Sequence, residues 1–195
     1  AVSLRVKDVM TILIIGVLFG SAVSAVVSVL QYFGEQAQLK SYVIWTMGSL
    51  GGVNNEQLYV FAPIVVFGLI ISFLSSGILN ILLLGENYAR TSGLKVLRAR
   101  IIIFFSTSLL AGTITAFCGP VGFIGIIVPH LARMIFKTAE HKVLIPASAI
   151  IGAIFILISD IISQLPGYQG TLPLNTVTAV VGIPIVLRII LKSRL

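Results

Sequence analysis

Residues 101–132 read IIIFFSTSLLAGTITAFCGPVGFIGIIVPHLA and carry no Asp, Glu, Lys or Arg. Arg100 and Arg133 bound the run. A charge-free apolar stretch of this length belongs in a bilayer, where one helical crossing takes about 20 residues. Going out and back takes about 40. Only 32 uncharged residues are available. If both arginines lie on one side, at least one of the two helices is short or broken. The middle of the run, CGPVGFIGIIVPH, holds Gly119, Gly122, Gly125, Pro120 and Pro129. Such residues let the backbone turn at membrane depth, provided neighbouring protein shields it.

The rest of the chain has the same character. Of 195 residues, 57% are hydrophobic and 10% charged, and mean hydropathy is +1.11. Soluble domains are about 45–50% apolar and about 25% charged. A cytosolic enzyme, a disordered tail and a disulfide scaffold are excluded. The expected fold is all-α, a polytopic membrane bundle forming a single transmembrane domain over 1–195. The chain opens at Ala1 without an initiating Met. No cleavable signal pattern precedes the first apolar run, and the start of the gene product is expected to be missing.

Net charge is +7. The basic residues sit in short groups between apolar runs, not in one patch of the kind that binds nucleic acid, so no nucleic-acid partner is expected. Arg5 and Lys7 precede the first span, and Arg90, Lys95, Arg98 and Arg100 follow the second. Arg133, Lys137 and Lys142 follow the long run, while Arg188, Lys192 and Arg194 close the chain. Placing all four groups in the cytoplasm puts 12 of 13 basic residues inside, with Lys40 outside. The C-terminus is then cytoplasmic. Six membrane segments follow, near 9–33, 57–84, 98–117, 121–136, 143–164 and 174–192. Residues 35–52 form an outer connection, where Tyr42, Trp45 and Met47 suggest a short interfacial helix. Leu165–Pro173 is a second outer loop, and Asn175 is placed to cap the last helix.

Three strings then combine: GPVGFIGIIVPHLAR at Gly119–Arg133, EHKVLIPASAIIGAIFILISD at Glu140–Asp160, and LPLNTVTAVVGIPIVLRIIL at Leu172–Leu191. In that order they resemble the FecCD family, whose typical forms are close to G-x-[IV]-G-F-[IV]-G-L-[IV]-[IV]-P-H-[IL]-x-R, D-H-R-x-L-L-P and E-L-P-[IV]-G-[VI]-[VI]-T-A-x-[IL]-G-x-P. WTMGSLGG at Trp45–Gly52 and LLLGENYARTSGL at Leu82–Leu94 extend the resemblance over essentially the whole chain. These are membrane permeases of binding-protein-dependent ABC importers for iron–siderophores, haem and cobalamin. The resemblance implies a portion holding the last six of ten helices. Its implied partners are ABC ATPase subunits, an external substrate-binding protein, a second permease subunit and the lipid bilayer. It implies import across the cytoplasmic membrane of an iron complex, siderophore or haem, with cobalamin or another metal complex as the alternative.

The resemblance also assigns residues. Gly85, Glu86, Ala89, Arg90 and Gly93 fall in a short cytoplasmic helix that docks on the ATPase, with Gly93 as its stop and Ala89 as its close contact. The first segment would line the path. Ser21, Ser24 and Ser28 are its candidates by helical spacing, unless they bond back to their own helix. Gly119, Gly122, Gly125, Pro129 and His130 form a structural motif in which small residues let helices approach. Asp160 is the one acid well inside an apolar segment, and structural hydrogen bonding is favoured over substrate contact. ISQ at Ile162–Gln164 and TLP at Thr171–Pro173 depart from the family's Arg and E-L-P, which puts outward docking contacts in doubt.

Chemistry is otherwise sparse. His130 and His141 lack partners at ligand spacing, so no metal site and no cofactor are expected. No phosphate-binding G-x-x-x-x-G-K-[ST], no H-E-x-x-H and no G-x-S-x-G occurs. ATP hydrolysis then needs a separate chain. An intramembrane enzyme built on His130, His141 or Asp160 is the rival class.

Overall fold

The computed structural model describes residues 9–164 and 172–192. Its elements are helices: α1 (Val9–Phe33), α2 (Gln36–Met47), α3 (Asn55–Leu74), α4 (Ser76–Leu83), α5 (Glu86–Thr91), α6 (Val96–Cys118), α7 (Ile124–Phe136), α8 (His141–Ser163) and α9 (Leu174–Lys192). No strand occurs among the described residues. Two compact units divide the chain, 1–44 and 45–195. The first holds α1 and most of α2. The second holds everything from Trp45 onward.

Four helices among the described residues are long and apolar enough to cross a membrane, within α1, α3, α6 and α8. In the second unit the bundle is inside-out by the standards of a soluble protein. On α8, Ile150, Ile154, Leu157 and Ile161 form an exposed apolar stripe, while Leu144, Ala147, Ser159 and Ser163 are buried. Small and hydroxyl residues recur in the interior, including Ala89, Ala99, Ala132, Ser106 and Thr178. In lipid the hydrophobic effect does not drive helices together, so small residues that allow close backbone contact take over that role. The chain is a membrane-embedded protein.

α3 and α6 pack antiparallel, and three contacts set their register. The rings of Phe61 and Phe117 meet edge-on at 5.4 Å. Gly68 lies against Leu110. Ser72 and Ser106 share a hydrogen bond of 2.7 Å, and Ser106 Oγ donates to Gly68 O at 3.1 Å. A Cβ at Gly68 would sit 2.7 Å from Leu110 Cγ and Cδ2. Gly68→Ala is expected to destabilise the α3–α6 pair by about 1–3 kcal/mol. The measurement is a lowered unfolding temperature of the detergent-solubilised subunit, and an unchanged temperature would show that the groove has room.

The expected single segment over 57–84 is instead two helices. The break falls at Ser75, whose hydroxyl donates to Ile71 O at 2.7 Å, a back-bond of the kind that perturbs helices. α3 alone, with 20 residues, reaches about 30 Å. α4 then leans on α8. The 101–132 run breaks where its glycines and prolines lie: α6 ends at Cys118 and α7 begins at Ile124. α7 has 13 residues, or about 20 Å, too short for a bilayer core of about 30 Å.

Two ends of the second unit are thus defined. The backbone N–H of His141 donates to Asn80 Oδ1 at 2.9 Å, and His141 Nδ1 lies 2.7 Å from the same oxygen. This joins the α7–α8 connection to α4, so the basic groups 90–100 and 133–142 share one end. The 119–123 turn lies at the far end of α6.

Candidate functional site

At the basic end, α5 is a helix of six residues, ENYART. Its stop is local. Gly93, at φ 83, sits in the left-handed region that glycine adopts without a Cβ penalty. Leu94 N–H donates to Ala89 O at 2.9 Å and Gly93 N–H to Arg90 O at 3.1 Å, the paired bonds of a Schellman cap. Gly85 stands at its other boundary as N-cap. Glu86 and Arg90 share a face, 3.8 Å apart as an ion pair. Glu86 also pairs with Arg100, which ties α5 to the first turns of α6.

Ala89 differs from its expected role. It is 0% exposed, packed within this chain by the cap and the neighbouring helices. In this structure it offers no surface to another protein. Every other residue of α5 is exposed, and the one aromatic among them is Tyr88, 54% exposed. Sequence reasoning passed over it because a single tyrosine in a polar loop carries no periodic signal. Only the burial of its neighbour identifies the outward face.

At the far end, one side chain gathers three segments. Asn175 Oδ1 accepts from Gly122 N–H at 3.0 Å. Its Nδ2 donates to Pro120 O at 2.6 Å and to Thr46 O at 3.1 Å. Asn175 is therefore not the cap of the last helix. It lies one residue inside α9, and its amide is spent on the turn before α7. Trp45 Nε1 donates to Ala116 O at 3.4 Å, and Ser49 N–H to Cys118 O at 3.0 Å, so residues 45–49 grip the end of α6.

The glycines of that motif are unequal. Gly119 has φ 80 and ψ 173, a region reserved for glycine, and a Cβ there would collide with Trp45 O. Gly122 is exposed, with only Asn175 Oδ1 at 3.9 Å from its built Cβ. Gly125 meets nothing within 4 Å among the described residues. The expected close approach thus falls on Gly119 and, between α7 and α9, on Gly182, whose built Cβ collides with Ile127 Cδ1.

Pro129 and His130 are exposed on α7. No group of His, Cys, Asp and Glu able to hold a metal occurs among the described residues. Asp160 is half-buried, and Gln164 Nε2 donates to its Oδ2 at 2.6 Å. Gln164 is the last residue of the ISQ departure, and it occupies that carboxylate. On α1, Ser21 Oγ donates to Val17 O at 3.0 Å and Ser28 Oγ to Ser24 O at 2.9 Å. Both hydroxyls therefore follow the alternative of bonding back to their own helix. Thr171 lies outside the described residues.

A bundle with an apolar outside, a small-residue interior, a broken segment and a capped helix at its basic end has the architecture of a membrane permease. A solved ABC transporter, assigned to the metal-chelate type and in an inward-facing conformation, matches it with a TM-score of 0.86 at 32% identity, over 95% of this chain and 60% of that one. The chain belongs to the FecCD transport family, whose model matches residues 2–192. It is 34% identical over 183 residues to the vitamin B12 import system permease protein BtuC of Citrobacter koseri, covering 94% of this chain and 55% of that protein. The BtuC protein of Vibrio cholerae is 35% identical over 184 residues, covering 93% and 54%. The chain spans about half the length of the curated relatives it matches.

Proposed function

We propose that this chain is a portion of the permease subunit of an ABC importer in the cytoplasmic membrane, with its basic end and C-terminus inside. The observation that carries the reading is the family match over 2–192 on a bundle with α5 at its basic end. The partners are two ATPase chains, a second permease subunit and an external binding protein. The protein performs no covalent chemistry. It offers two arrangements whose balance ATP-bound partners shift. α5 is the element that meets the ATPase, with Glu86 and Arg90 at its rim. The whole of 1–195 acts as one transmembrane domain.

Cobalamin is the substrate that the relatives' names support, ahead of the iron–siderophore or haem expected from the sequence. The deciding experiment reconstitutes the full-length subunit in liposomes with its ATPase and binding protein. ATP-dependent uptake of cyanocobalamin is expected. Uptake of a ferric siderophore alone would restore the iron reading, and uptake of neither would remove both.

The shared basic end supports this orientation. A cysteine at Glu56 should label from outside intact cells with an impermeant maleimide, and one at Arg98 should not. The reverse pattern would invert the topology.

A further inference from the structure

The α6–α7 joint is strained as well as short. Ile124 N–H donates to Gly122 O at 2.7 Å, closing a three-residue turn around Phe123, whose φ is 65 and ψ −36. A γ-turn of this hand is rare and strained for a residue with a side chain. Strain of this kind persists only where surrounding structure over-determines it. The surroundings are two clamps. Residues 45–49 hold the last turn of α6 through Ser49 and Trp45. Asn175 holds the turn itself through Pro120 and Gly122. The same amide reaches Thr46 O, so a single side chain joins the two clamps. Beyond the joint the helices have different partners: α6 packs mainly on α3, whereas α7 packs on α8 and α9.

We propose that Asn175 is a positioning residue for transport: its carboxamide fixes the angle between α6 and α7, so that α7 keeps its setting when the bundle changes arrangement. This rests on the permease reading. Both faces of the amide are needed. Oδ1 serves Gly122 N–H, and Nδ2 serves one carbonyl of the turn, Pro120 O, and one of residues 45–49, Thr46 O.

Asn175→Asp separates this role from ordinary helix stabilisation. The carboxylate keeps the acceptor for Gly122 but loses both donated bonds and faces two carbonyl oxygens. A role confined to the helix terminus predicts that Asp serves as well as Asn, because acids are favoured in the first turn. Positioning predicts failure. The test uses the full-length subunit in the reconstituted transporter, with Cys118→Ala as background. Spin labels go on exposed Ser108 of α6 and exposed Ile126 of α7. Expected are a narrow distance distribution with Asn175 and a broadened one with Asn175→Asp. Uptake per ATP hydrolysed should fall roughly tenfold while the ATPase rate persists, in keeping with the loss of two hydrogen bonds. An unchanged distribution overturns the proposal, as does a broadened one with unchanged uptake per ATP. Should the aspartate variant fail to insert, Asn175→Gly removes the amide without adding charge and is read by the same pair. If the unsubstituted transporter shows no ATP-driven uptake, the permease reading falls. The label distances would still report on the joint.

Discussion

Gly119→Ala is expected to prevent a stable subunit from accumulating. Two independent costs fall on one methyl group. The backbone at φ 80 and ψ 173 is open to glycine alone, and forcing a Cβ there costs about 1–3 kcal/mol. The methyl would also overlap Trp45 O, a backbone atom that cannot swing aside as a side chain would. Overpacking of this kind adds about 1–3 kcal/mol. Relief requires residues 45–49 to move away from α6, which breaks the bond from Ser49 N–H to Cys118 O. The sum is comparable with the whole stability of a marginal domain, about 5 kcal/mol at its lower end. The measurement is the yield of monodisperse subunit after detergent extraction, with Gly125→Ala as control. Gly125 lies six residues further along the same motif and has nothing within 4 Å of an added Cβ, so its variant should extract normally. Equal yields would show that the joint adapts to a side chain.

How far the residues foretold this arrangement depends on the kind of signal each carried. Charge-free runs and basic clusters are long-range averages, and they located α1, α6, α8 and α9 to within a few residues. The shortage of residues in 101–132 is a length constraint, and it located the break. The break at Ser75 is not legible, because one hydroxyl perturbs a helix only when its backbone bond forms, and composition does not show that. By position alone Asn175 reads as a cap. Its actual partners come from Thr46 and Pro120, 129 and 55 residues away in sequence. Ala89 is ambiguous in the sequence for the same reason. A small residue allows close contact with a partner and with its own chain equally well, and only the fold decides which.

That distinction carries the second large effect. Tyr88→Ala and Ala89→Trp should fail in opposite ways. Tyr88 projects from α5, so its removal leaves the Schellman cap and the Glu86 pairs with Arg90 and Arg100 in place. The subunit should fold and insert normally. If α5 is the ATPase contact, an exposed aromatic at its centre is the natural anchor, since truncating such residues commonly costs 2 kcal/mol or more, roughly a 30-fold loss of affinity. The ATPase should then no longer co-purify, and ATP-driven uptake should cease. Ala89→Trp acts on the other face. No space surrounds Ala89, so the indole must expel α5 from its seat and break the cap that ends it. Its subunit should be recovered in reduced amount and should lose the ATPase as a consequence. The comparison is made in the complete complex, measuring subunit yield and ATPase co-purification for both variants. Normal co-purification and uptake with Tyr88→Ala would remove the docking role from this face of α5. Normal yield with Ala89→Trp would mean that the residue is not buried in the assembled protein.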